Sequence, residues 1–123
     1  MYGGTLLPAR QQAELMSLVS ERTGQPIEQT SQDDPRGFGL GVEQLTGPTL
    51  GTVWLYEGAT AAFRTVHVYV PGSGVILAIG LNSDATPNST KTTITDHILD
   101  LVATAYKTLI THGVVSALPA PRT

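Results

Sequence analysis

The side chains able to carry chemistry are few in this chain of 123 residues. Its nitrogen bases are His67, His97, His112, Lys91 and Lys107, and it has no cysteine. Thiolate nucleophiles, disulfides and thiolate metal sites are therefore excluded. Covalent acyl transfer would fall to a hydroxyl activated by a neighbouring base. A serine followed three positions later by lysine puts both groups one helical turn apart. None of Ser17, Ser20, Ser31, Ser73, Ser83, Ser89 and Ser116 has that partner. The nearest imitation, Thr104-Ala105-Tyr106-Lys107, reads as the surface of an amphipathic helix. Gly72-Ser73-Gly74 reads as a turn and lacks the Gly-x-Ser-x-Gly spacing of a nucleophile elbow. A serine, a histidine and an aspartate could be assembled from scattered positions, but no local signature supports a triad.

The other polar candidates have plain structural readings. His67 falls on the polar face of a strand, and Arg64 reads as a solvated strand charge able to meet an anion. His97 lies beside Asp96 and three residues before Asp100, a spacing that allows a helical ion pair. A metal would need more convergent ligands than these, so no metal and no cofactor is expected. Trp54 reads as an aromatic anchor under the helices.

These residues must be positioned by a small fold. With 41% hydrophobic and 14% charged residues, the composition fits one small domain, expected over residues 1–113 with a fraying tail at 114–123. The net charge of −3 offers no basic footprint for nucleic acid or an anionic membrane. The start, Met1-Tyr2-Gly3-Gly4-Thr5, has no basic segment followed by an apolar core, so no signal peptide is expected. The longest apolar run, Val75 to Leu81, is too short to span a bilayer.

Residues 8–23 read as a first helix, with Pro8 at its start, a stripe of Ala13, Leu15, Met16 and Val19, and Gly24 as its stop. The polar stretch Gln29 to Gly37 reads as an exposed loop. Four strands follow: Phe38–Leu45, whose glycines suggest a bend or a close backbone approach, then Thr52–Tyr56, Phe63–Val70 and Val75–Leu81. The last, apolar at every position, calls for cover on both faces and a central place in the sheet. Ile94, Ile98, Leu101, Ala105 and Leu109 give a long closing helix, capped by Ser89 or Thr90 and ended by His112-Gly113. The fold class is therefore α+β, a mostly antiparallel sheet with N-terminal and C-terminal helices packed on it.

The order of several short strings is similar to the C-terminal portion of serine β-lactamases and D,D-peptidases. Phe38-Gly39-Leu40-Gly41-Val42 resembles the Tyr-Gly-Leu-Gly segment before the last active-site motif of class C β-lactamases and D,D-carboxypeptidases. The motif itself, Lys-Thr-Gly or His-Thr-Gly there, falls on Tyr56-Glu57-Gly58. Ala59 to Thr65 looks like the family's approach to the next strand, and Val68 to Ser83 like its last two strands and their asparagine-containing exit. Gly3 to Pro8 resembles a mid-protein stretch, which makes Met1 read as an internal methionine.

The resemblance implies a partial β-lactamase/transpeptidase-like fold and a parent that hydrolyses β-lactams, peptidoglycan peptides or esters outside the cytoplasmic membrane. It implies a site wall at Tyr56, Glu57, Gly58 and Ala59, with the Ala59 N–H as an oxyanion donor. The departures are Tyr56 and Glu57, where the family carries a cation and a small hydroxyl. Glu57 would set a negative charge where a substrate carboxylate should lie, which favours neutral or cationic substrates, a decayed site, or a glutamate that simply faces solvent. Lacking the nucleophile, the chain is not expected to be catalytic alone. The alternative is a non-catalytic module that self-associates or binds a protein partner. Either way, Val75–Leu81 would expose an edge to a homodimer partner or to the missing N-terminal half. Neither nucleic-acid binding nor membrane insertion is expected.

Overall fold

The computed structural model describes residues 1–83 and 94–116. The architecture is α+β, an antiparallel sheet with one helix before it in sequence and a longer one after it. The helices are α1 (Ala9–Leu15) and α2 (Ile94–Thr111). The strands are β1 (Leu18–Ser20), β2 (Pro26–Ile27), β3 (Arg36–Phe38), β4 (Glu43–Gly47), β5 (Gly51–Ala59), β6 (Arg64–Val70) and β7 (Val75–Leu81). Their hydrogen-bonded order is β2-β1-β3-β4-β5-β6-β7. The chain divides between Tyr56 and Glu57 into two compact units.

In the first unit the opening helix is half the expected length. It stops where the Ser17 hydroxyl and N–H both turn back onto the Glu14 carbonyl, at 2.8 and 3.3 Å. The Leu15 carbonyl is taken by the Leu40 N–H at 2.9 Å. The apolar stripe that suggested a longer helix then changes period, and Leu18 and Ser20 are buried on one side of a strand while Val19 faces out. β1 pairs with β2 and β3, so Val19 lies opposite Pro26 and Phe38.

Phe38 to Leu45 is not one strand. Gly39 and Gly41 bend it into a hairpin, with Arg36 opposite Leu45 and Phe38 opposite Glu43. Gly41 takes a φ of 82°, and an added Cβ on Gly39 would sit 2.5 Å from the Leu15 carbonyl oxygen. Both the bend and the close approach that the glycines suggested are therefore present.

The stretch expected as an exposed loop, 29–37, is only partly so. Thr30 is buried, and its N–H and hydroxyl both donate to Gln44 Oε1, at 2.8 and 3.0 Å. The hydroxyls of Thr30, Thr46 and Thr52 continue this chain at 2.7 and 2.8 Å. Glu43, also buried, has the Arg36 guanidinium 3.3 Å away. Val42, Val53, Trp54 and Leu55 supply the apolar core around these groups.

The second unit is built on the β6–β7 hairpin, closed by Pro71-Gly72-Ser73-Gly74 with the Gly74 N–H on the Val70 carbonyl at 2.9 Å. Val66, Val68 and Val70 are buried on one face, opposite Ile79, Leu77 and Val75. α2 packs against β7 and buries Ile98, Val102 and Tyr106. This stripe is rotated from the expected one: Leu101 is exposed because the buried row follows the i, i+4, i+8 ridge through Tyr106. α2 ends at Thr111 and is closed by His112-Gly113, as expected, with Gly113 N–H on Ile110 and Val114 N–H on Leu109 at 3.0 and 2.9 Å, a Schellman closure. The expected cap at Ser89 or Thr90 and the tail beyond residue 116 lie outside the described residues.

β7 ends the strand order instead of lying centrally. Only its face of Val75, Leu77, Ile79 and Leu81 is half-buried, while Ile76, Ala78 and Gly80 are exposed. A run without polar residues carries no alternation to reveal that one of its faces is open.

Candidate functional site

Tyr56, Glu57, Gly58 and Ala59 are consecutive residues at the end of β5. The β4–β5 ladder closes at Glu43 opposite Leu55, so these four residues run on past its last pair. They lead into a tight turn through Ala61-Ala62, where the Thr60 N–H reaches the Phe63 carbonyl at 3.0 Å. In an antiparallel ladder successive residues point their backbone groups alternately toward and away from the partner strand. With the Thr60 N–H on the β6 side, that alternation assigns the Ala59 N–H to the opposite side of β5. Ala59 is itself exposed. The side chains alternate too: Tyr56 is exposed, and Glu57 is half-buried on the other face.

Gly58 is fixed by its neighbour. A Cβ there would lie 2.5 Å from Thr65 Oγ1 on β6. Thr65 in turn faces Gly80 of β7, its register partner. Thr65 thus stands between two glycines on one face of three successive strands. Beside it lies a shallow depression of about 300 Å³, lined by Thr65, Val66, His67, Ala78, Ile79 and Gly80. His67 is half-exposed on this face, with Tyr69 next along the strand, as the alternation of β6 requires.

The Gly58–Thr65 contact makes a prediction. Gly58→Ala is expected to destabilise the protein by about 1–2 kcal/mol, because the new methyl displaces the Thr65 hydroxyl. In a Thr65→Ala background the same change should be neutral or slightly stabilising, since only the entropic advantage of alanine over glycine remains. Urea denaturation of the four proteins in the cycle measures this coupling, and equal effects in both backgrounds would exclude it.

The other sequence candidates stay apart from chemistry. Thr104 and Lys107 are exposed on α2, and the Thr104 carbonyl accepts the Thr108 hydroxyl at 2.9 Å. Tyr106 between them is buried with no partner for its hydroxyl. His97 Nε2 is likewise buried without a hydrogen bond. Arg64 begins β6, opposite Leu81. Among the described residues no cluster of three or more His, Cys, Asp or Glu could hold a metal, and no helix is long and apolar enough to cross a membrane.

Sequence reasoning missed the depression beside Thr65. Its signal was present in the pairing of small residues, Gly58, Ala78 and Gly80, with a polar alternation on β6, and it becomes legible only once the register is known. No family model, no curated protein and no solved structure matches the chain.

Proposed function

We propose that this chain is the C-terminal part of a serine acyl hydrolase of the β-lactamase, D,D-carboxypeptidase or esterase type. It contributes one wall of the active site, formed by Tyr56, Glu57, Gly58 and Ala59. The observation that carries the reading is that Tyr56–Ala59 continue β5 past its last pair with β4, beside a Thr60 N–H bonded to Phe63. Strand alternation then assigns the Ala59 N–H to the side away from β6. A backbone donor in that position can hold a developing oxyanion, and it depends on strand geometry instead of side-chain type. The order of strings from Phe38 to the closing helix supports the same assignment. The nucleophile and its base come from a segment that this chain does not carry, so the chain alone turns over no substrate. The outer edge of β7 is where a further strand joins, from the rest of such a hydrolase or from a second copy.

The reading frame preceding Met1 is expected to encode Ser-x-x-Lys followed by Tyr-x-Asn. In the protein made from that frame, Ala59→Pro removes the N–H and should lower kcat for a p-nitrophenyl ester or a chromogenic cephalosporin by about 10²–10³-fold, with KM changing far less. A frame without the nucleophile motif, or robust turnover by the present chain alone, would overturn the proposal.

A further inference from the structure

The edge of the sheet has properties that select a particular occupant. β7 is the last strand in the hydrogen-bonded order, and among the described residues nothing pairs with its outer side. Exposed edges in folded proteins are ordinarily blunted by a lysine, a proline or a bulge. Val75-Ile76-Leu77-Ala78-Ile79-Gly80-Leu81 has no charge and no proline, and it pairs with β6 residue for residue without interruption. Ile76 is 59% exposed.

We infer that β7 pairs antiparallel with β7 of a second copy of this chain, about a two-fold axis at Ala78. This inference deepens the edge-pairing part of the reading above and is independent of its acyl-transfer part. A two-fold contact requires a surface complementary to itself. Centred on Ala78, the strand meets that requirement over its whole length: Val75 faces Leu81, Ile76 faces Gly80, Leu77 faces Ile79, and Ala78 faces its own copy. Each pair joins residues from the same face, so the half-buried apolar face of one copy continues into that of the other. Centres one residue away in either direction leave strand residues opposite the Ser73-Gly74 turn or the Asn82-Ser83 exit.

A second feature agrees independently. The partner's Ile76 comes to lie across from Gly80, and Gly80 lines the depression of about 300 Å³ beside Thr65 and His67. The exposed isoleucine of one copy is thus set over the hollow of the other, twice per dimer. Cross-strand neighbours at this spacing are in side-chain contact.

The test uses the chain as it stands. Sedimentation at ~100 μM, above a micromolar dissociation constant, is expected to give twice the 13.0 kDa chain mass. Ile76→Lys places a charge in each half of the apolar contact and should weaken the dimer by roughly 100-fold or more. Gly80→Lys, where an added Cβ meets only Thr65 Cγ2 at 3.9 Å, should do the same. Unchanged circular dichroism shows that both variants fold. Because the chain has no cysteine, Ala78→Cys reports the register directly. It should form a covalent dimer on mild oxidation, whereas Ala103→Cys on α2 should not. A monomeric wild type, or a dimer indifferent to both lysines, overturns the edge contact. A dimer in which the Ala78→Cys variant does not cross-link overturns the register.

Discussion

Replacing Gln44 with leucine is expected to lower the unfolding free energy by about 2–3 kcal/mol, although the two side chains have similar volume. Gln44 Oε1 accepts from both the N–H and the hydroxyl of Thr30, and Thr30 is 2% exposed. After the substitution the Thr30 hydroxyl can still turn to Thr46, 2.7 Å away, but its N–H is left in a dry site without an acceptor. The cost is that of a buried donor stripped of its partner, which exceeds the net worth of the bond. Thr30→Val provides the contrast. It removes a hydroxyl and keeps the N–H bond to Gln44, so about 1 kcal/mol is expected. Urea denaturation followed by the fluorescence of Trp54, at one fixed chain concentration, measures both from the shift in midpoint at constant m. If Gln44→Leu costs no more than Thr30→Val, the orphaned amide does not set the cost.

Gly39→Ala is expected to cost about 3 kcal/mol, more than the corresponding change at Gly58. The two sites look alike, since an added Cβ is 2.5 Å from an oxygen in each. At Gly58 the oxygen is a threonine hydroxyl, which can rotate about χ1. At Gly39 it is the Leu15 backbone carbonyl, with Val42 Cγ2 at 3.2 Å and the Ser17 carbonyl at 3.3 Å closing the other sides. Relief requires the β3–β4 hairpin to move away from the end of α1, which lengthens the Leu40–Leu15 hydrogen bond as well. No single partner substitution should rescue Gly39→Ala, because the main opposing atoms are backbone. Urea denaturation measures the loss, and a second-site side-chain change that restored stability would show the close approach to be tolerant.

The elements differ in how far they could be read in advance. β5, β6 and β7 were legible because they are long, because Gly47-Pro48 precedes β5 and Pro71–Gly74 joins β6 to β7, and because β6 alternates cleanly from Thr65 to Val70. The antiparallel sheet and the closing helix follow from that pattern and from the Ile98 periodicity. Residues 57–59, before the Ala61-Ala62 turn, extend β5 beyond the expected Thr52–Tyr56. β1, β2 and β3 have only two or three residues each, too short for any periodicity to show. The hydrogen bonds around them, Thr30 to Gln44 and Leu40 to Leu15, join partners 14 and 25 residues apart in the chain. The first helix was overextended because Leu15, Met16 and Val19 continue a helical stripe that the Ser17 cap interrupts.

At the candidate site, the four residues could be placed on a strand end from the string alone. The direction of the Ala59 N–H could not. It depends on which residue of the turn, Thr60 or its neighbour, faces Phe63, and a shift of one residue would send the donor to the other side. The glycine at position 58 is explained by Thr65 only in the observed register.

The uncharged run of β7 has a consequence before the chain has folded at all. Seven apolar residues without a proline or a charge form the kind of segment that stacks into cross-β aggregates when exposed in many unfolded chains. No gatekeeping residue lies within it, so protection must come from speed. The Pro71–Gly74 turn joins β7 to β6 by a loop of four residues, and hairpins of this kind close in about 1–10 μs. Collision between chains at micromolar concentration is far slower. A hairpin that closes on this timescale covers one side of the strand before chains meet.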